Sequence, residues 1–236
     1  MGRYAQSENA WGVRILVLGI GVLYLIGGPE PKHAASRMDS PALRALTQLC
    51  SALTTAGGTF VQESQSPTTR RKRQEQGWFA WKRPDHLWWE YTQPEHKVLL
   101  WTPERFEFYV ETDCTVYTES DPQRTLQQHP LIGFIRDCTL QEWLPRLQTF
   151  RVRDAVQEWV FTTPETASDR IPWTRLRIRW NRARRQLVVE TTDWLYHSIR
   201  YVLRFRDDLV GRADAELVWE TRFPPDCERI PLAEIQ

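Results

Sequence analysis

Apolar positions along the chain fall into three successive regimes. Residues 15–28 are apolar almost without interruption, residues 43–53 carry apolar side chains at helical spacing, and from residue 59 the period becomes two. Asp39-Ser40-Pro41 opens the helical stretch with a polar cap followed by proline at the first helical position, where its missing N–H leaves no bond unmade. Leu43, Leu46, Cys50 and Leu53 recur on one face, and Gly57-Gly58 is expected to end the helix. The alternating regime starts with a short strand, Thr59 to Ser64, and a polar loop from Gln65 to Gln76 that holds Arg70-Arg71-Lys72-Arg73. Beyond Gly77 the pattern predicts one strand carrying Phe79, Trp81 and Arg83 on a single face. A second carries Leu87, Trp89 and Tyr91, a third spans Val98 to Leu100, a fourth carries Phe106 and Phe108, and residues 114–119 make one more. Thr102-Pro103-Glu104-Arg105 reads as a type I turn between the third and fourth.

Two short helical pieces follow, 130–136 and 139–147, the latter opened by Thr139 and Glu142 at capping-box spacing. A meander completes the chain at 159–163, 173–180, 186–192, 198–206 and 216–223. Leu176, Ile178 and Trp180 lie opposite Arg175, Arg177 and Arg179, and Ile199, Tyr201, Leu203 and Phe205 lie opposite Arg200, Arg204 and Arg206. The predicted fold is therefore mainly β with an α lid. One antiparallel sheet of about 10–11 strands has an apolar face and an arginine-bearing face turned to water. Strand twist curls so many strands into an incomplete barrel, and the short helices cover its concave side. No linker or repeat divides the chain after residue 37, so residues 37–236 are expected to form one domain.

Composition sharpens this picture. Twelve Trp, with nine Phe and seven Tyr, point to a big core or an apolar binding surface. Arg3 and Arg14, the apolar run to Gly28, the break at Pro29-Glu30-Pro31 and the small residues Ala34-Ala35-Ser36 follow the order of a secretory signal. The run has 14 residues, fewer than the ~20 of a spanning helix. Cleavage near Ser36 is expected, with a retained anchor as the alternative. Without residues 1–36 the chain holds 28 charges of each sign, a balance that argues against a nucleic-acid partner. Cys50, Cys114, Cys138 and Cys227 have no C-x-x-C spacing and no histidine partner, so neither zinc nor another metal is implied. In an exported chain they permit two disulfides. The expected pairing is Cys114 with Cys138, leaving Cys50 with Cys227, although spacing alone leaves three connectivities open. No nucleophile elbow, zincin motif, phosphate loop or dinucleotide fingerprint is present, so the sequence implies neither an enzyme nor a cofactor.

The stretch Gln76 to Leu100, QGWFAWKRPDHLWWEYTQPEHKVLL, is more specific. Its Q-G, alternating strand, K-R-P, Trp and T-Q-P-acidic order closely resembles the signature segment of the LolA carriers. Phe60-Val61-Gln62, Pro130-Leu131-Ile132 and Phe223-Pro224-Pro225 are similar to further family positions. The chain departs from the pattern in its Thr102–Arg105 turn, its extra tryptophans and its cysteines. The resemblance implies a half-barrel with a helical lid over an apolar hollow. It also implies a monomeric periplasmic carrier that moves acylated lipoproteins from an inner-membrane ABC transporter to an outer-membrane receptor. Two other readings share the fold: a carrier of another amphiphile, such as a glycolipid or polyene, and a membrane-anchored lipid-binding receptor.

The work of such a protein is burial rather than catalysis. Phe79, Trp81, Arg83, Leu87, Trp89, Tyr91, Val98, Leu100, Phe106 and Phe108 are the expected cavity lining, with Ile132 and Phe134 on the lid. Arg83 shares a face with Phe79 and Trp81, where a guanidinium needs acceptors that helix-end carbonyls can supply. It is the expected lid latch, and the resemblance places it on the arginine of the family's K-R-P. A strand-end arginine stacked on Trp89 is the alternative.

Overall fold

The computed structural model describes residues 40–69, 71–119, 130–136, 146–163, 173–207, 219 and 222–232. Helix α1 spans Pro41–Ala52 and helix α2 spans Pro130–Arg136. The N-terminal strands are β1 (Thr55–Gln65), β2 (Lys72–Lys82), β3 (His86–Gln93), β4 (Lys97–Trp101), β5 (Phe106–Val110) and β6 (Thr115–Glu119). The C-terminal strands are β7 (Leu147–Arg153), β8 (Val156–Thr162), β9 (Trp173–Asn181), β10 (Gln186–Asp193), β11 (Ser198–Phe205) and β12 (Glu228–Pro231). They form one sheet in the order β12-β6-β5-β4-β3-β2-β1-β11-β10-β9-β8-β7. The two meanders join where β1 pairs with β11, Phe60 lying opposite Leu203. β7 and β12 end the order without pairing to each other, so the barrel stays open.

Helix α1 begins as the sequence predicts. The Ser40 hydroxyl accepts from the Leu43 amide, and Pro41 occupies the first turn. Its buried face is Ala42, Ala45, Leu46, Leu49 and Cys50, with Leu43 only half buried. Two indoles fix it to the sheet: Trp159 donates to the Ala42 carbonyl at 3.0 Å and Trp81 to the Leu53 carbonyl at 2.9 Å. The helix stops at Leu53, and Gly57 and Gly58 lie inside β1 instead of capping it. A Cβ on Gly58 would stand 2.1 Å from the Arg204 carbonyl oxygen, so glycine here serves the close approach of two strands rather than a turn. The β1–β2 hairpin is also longer than expected, with Lys72 and Arg73 in β2 and not in a loop.

Beneath the helices, a continuous core takes residues from every strand between β1 and β5 and from β8 to β11. A second core lies on the other side of the sheet: Ala80, Trp88, Val98, Leu100, Tyr109 and Val116 are covered by Phe223 and Cys227, with Trp219 packed alongside. The sheet is thus water-facing on one side only in its C-terminal half, where Arg177, Arg179 and Arg200 converge on Glu190. β7 and β12 escaped the sequence reading. β7 alternates its few apolar residues with arginines at an edge, and β12 (ERIP) is held by parallel pairing to β6. Residues 222–223 lie outside any strand, and the rest of the expected 216–223 strand falls outside the described residues apart from Trp219. So does the expected helix 139–147, except that Arg146 and Leu147 lead into and begin β7.

The disulfide pairing differs from the expectation. Cys114 bonds to Cys227, because β12 runs parallel beside β6 and sets Glu228 against Thr115. Cys114 therefore does not pair with Cys138, nor Cys50 with Cys227. Cys50 is itself disulfide-bonded, and Cys138 lies outside the described residues.

Candidate binding site on the concave face

Alternation in β2 and β3 sends Phe79, Trp81, Leu87 and Trp89 into the concave core, all buried, with Tyr91 packed against it. They meet as a ring cluster: Phe79 stacks on Trp81 at 5.0 Å between centroids and on Trp89 at 5.7 Å, and Phe60 lies 4.0 Å from Trp89. Pairing passes this face to the next strands, Trp89 opposite Leu99 and Leu87 opposite Trp101, then Leu99 opposite Phe108 and Trp101 opposite Phe106. Phe106 and Phe108 therefore face inward as predicted, but on β4 the inward residues are Leu99 and Trp101. Val98 and Leu100 point outward into the second core. β4 reads KVLLW and is buried on both faces. Such a run carries no alternation of its own, and a one-residue slip exchanges the faces.

Helix α2 lies on this aromatic face with Leu131, Ile132, Phe134 and Ile135 all buried in the same core. Arg83, at the turn after β2, holds its guanidinium carbon 5.2 Å from the Phe134 ring centroid, with Nε and Nη2 buried. Its ring partner is thus Phe134 on α2 rather than Trp89. Its backbone amide donates to the Thr54 carbonyl just beyond α1, so one residue touches the approaches of both covering helices. The aromatic face is filled by its own side chains and the helices. A cleft of about 410 Å³ opens beside the C-terminal half of α1, bordered by Gln48, Ala52, Trp180 and Arg182. The indole N–H of Trp101 is buried with no acceptor among the described residues.

A row of polar residues crosses the same face near the β1–β2 hairpin; sequence reasoning put Tyr91 and Tyr201 on the apolar face but did not single out Gln62, Glu75 and Lys97. Tyr201, Gln62 and Glu75 are neighbours across β11, β1 and β2, and Tyr91 is paired with Lys97 across β3 and β4. The buried Lys97 ammonium lies 2.5 Å from the buried Glu75 carboxylate and 4.6 Å from the Tyr91 ring centroid. Gln62 donates to Glu75 at 3.1 Å and accepts from the Tyr91 hydroxyl at 2.9 Å, while Arg73 donates to Glu75 from the outer side. Burial first, and then Tyr201 and the Glu75 charge, push Tyr91 well above the usual tyrosine range. Burial and Glu75 raise Tyr201 likewise. The signal for this row was the even spacing of Gln62 from Phe60, Glu75 from Phe79 and Lys97 from Leu99, which fixes the face once the register is known.

An open sheet whose aromatic concave face is covered by short helices defines a half-barrel binding protein with a lid. The sequence agrees: the profile of the family described as outer membrane lipoprotein carrier protein LolA matches residues 51–193. The chain belongs to the LolA family of lipid- and lipoprotein-binding carriers, which are generally extracytoplasmic. A search of the curated proteins finds no match. Among solved structures, an uncharacterized conserved protein from Thermus thermophilus is 11% identical, with 81% of this chain and 99% of that one covered at a TM-score of 0.47. A LolA superfamily protein from Nitrosomonas europaea is 8% identical, with 71% and 93% covered at 0.37. Lipoprotein LppX from Mycobacterium tuberculosis is 8% identical, with 72% and 97% covered at 0.37. Among the described residues no helix is long and apolar enough to cross a membrane.

Proposed function

We propose that this protein shields the acyl chains of lipoproteins on its concave face and carries them through the periplasm, from an inner-membrane ABC transporter to an outer-membrane receptor. Export by a signal cleaved near Ser36 belongs to the same reading, and disulfide-bonded Cys50, Cys114 and Cys227 suit an oxidising compartment. The observation that carries the proposal is the construction of the face: Phe79, Trp81, Leu87, Trp89, Trp101 and Phe106 lie under helices α1 and α2, both short. Each acyl CH₂ taken from water is worth ~0.8 kcal/mol, so a face that only gained would never release its cargo. In the empty form the helices cover the aromatics, and cargo must displace them. Cargo then binds with the difference between two burials rather than the whole of one.

Arg83 is the latch in this scheme, its charge over Phe134 stabilising the closed, empty form. A buried cation–π contact is worth about 2 kcal/mol, roughly thirtyfold in the open–closed balance. A fluorescent acylated lipopeptide, offered to the protein and then to a detergent-free lipid acceptor, tests both parts. Wild type is expected to load and release, and Arg83→Leu to load and retain. A wild-type protein that takes up no acyl chain would sink the carrier reading, and an Arg83→Leu protein that releases as fast as wild type would sink the latch.

A further inference from the structure

The β10–β11 hairpin ends in a turn that shows two large apolar side chains to solvent. Leu195 is 68% exposed and Tyr196 75%, and among the described residues the other exposed large hydrophobic is Val152. The turn is braced, not loose. The Leu195 and His197 amides both donate to one carboxylate oxygen of Asp193 at 2.8 Å, the other oxygen meets the His197 ring at 2.9 Å, and the Tyr196 amide donates to the Asp193 carbonyl at 3.1 Å. Tyr196 sits at φ 62°, a left-handed conformation that glycine or asparagine adopts freely and an aromatic residue does not. An aromatic side chain held at a strained, exposed position on a rigid turn contributes little to the fold and much to whatever it touches.

The neighbouring hairpin carries charge. Ser198 lies opposite Gln65 and Gln65 opposite Lys72, so the β1–β2 and β10–β11 turns end side by side. Arg71, Lys72 and Arg73 are exposed there. Arg73 is paired with Glu75, and the nearby Glu63 is answered by Arg200. Arg71 and Lys72 form no ion pair among the described residues. Half-polar aromatics and a leucine beside unbalanced cations are the chemistry of an anionic bilayer surface, where rings settle at headgroup depth and basic side chains meet phosphates.

We propose that this end of the sheet docks on anionic phospholipid membrane, with Leu195 and Tyr196 entering the interface and Arg71 and Lys72 held by lipid phosphates. The inference rests on the carrier reading, since a lipid carrier collects or delivers its cargo at a membrane. The full chain with Leu195→Cys, bearing a polarity-sensitive fluorophore, reports on the tip, with the unsubstituted chain as the labelling blank for its native cysteines, of which Cys50, Cys114 and Cys227 are disulfide-bonded. A second label at Ala183→Cys, on the β9–β10 turn at the opposite end of the sheet, controls for adsorption by any other segment. With vesicles of phosphatidylcholine plus phosphatidylglycerol, the label at 195 is expected to shift to the blue and to be quenched by spin-labelled lipid, and the label at 183 to stay unchanged. Arg71→Gln and Lys72→Gln should each weaken this response about fivefold. No shift at 195, or equal shifts at both sites, would overturn the proposal. So would a tip that is silent on lipid but becomes shielded by a purified membrane transporter or receptor, which would make it a protein-docking surface. Lipopeptide uptake without vesicles separates the two readings: uptake with a dry tip removes only the docking inference, and an inserted tip without uptake removes only the carrier.

Discussion

Lys97 and Glu75 are the most consequential polar residues inside the half-barrel, since each is buried and answers the other at 2.5 Å. Removing Lys97 takes the buried cation from a carboxylate that keeps Arg73 and Gln62 as partners. Lys97→Met is expected to destabilise the protein by about 3–5 kcal/mol, and Lys97→Met with Glu75→Gln to recover most of that loss, as thermal unfolding will show. Tyr91 and Tyr201 add a pH dependence. Their folded-state pKa values are raised above the ordinary 10, so the fold favours the protonated phenols. Stability from this source is complete below pH ~10 and declines as pH rises further, since the unfolded chain ionises first. In an alkaline titration followed by tyrosinate absorbance, Tyr91 and Tyr201 should titrate only as the protein unfolds. Ionisation of every tyrosine together near pH ~10, with the fold intact, would contradict this burial. Tyr91 and Tyr201 stood on the expected apolar face, but Lys97 and Glu75 do not announce themselves in sequence: a lysine or glutamate in a strand normally reaches water, and only neighbours on other strands bury it.

At the scale of elements, strand contacts decide what single residues mean. Gly58 follows a helix and looks like its cap, yet its lack of a side chain admits the Arg204 carbonyl of β11. Gly58→Ala must push backbone against backbone and against the Phe79 ring. A loss of about 2–4 kcal/mol is expected, read as a Tm lowered by roughly 5–10 °C; an unchanged Tm would refute the close approach. The covering helices differ in how visible they were. The cap of α1 is written in Ser40-Pro41, whereas the depth of its burial depends on Trp159 and Trp81, whose indoles bind its two ends from far along the chain. In α2, Leu131 and Ile135 proved as buried as the expected Ile132 and Phe134.

For the whole molecule, the C-terminal segment is a second cover. Residues 223–227 pack on the outer face of the N-terminal strands, Phe223 stacks on Tyr109 at 5.0 Å, and Arg229 reaches Glu107 at 2.8 Å. The Cys114–Cys227 bond closes this across a separation of 113 residues. Replacing both cysteines by serine is expected to remove about 2–5 kcal/mol in chemical denaturation. Lipopeptide uptake should persist, because the aromatic concave face lies on the other side of the sheet. Loss of uptake in a protein that remains folded would show that the outer core shapes the inner one.

What the sequence determined by itself were the features that period and local chemistry specify: the strand alternation that turns Phe79, Trp81, Leu87 and Trp89 to one side, the capped start of α1, the α2 segment and the family signature at 76–100. The tertiary structure alone decided the phase of β4, the second core, the Cys114–Cys227 pairing and the buried Glu75–Lys97 row. The reason is physical. A strand knows its two faces from its own pattern only when one of them is wet, and wherever both are buried, register with a distant neighbour sets the choice.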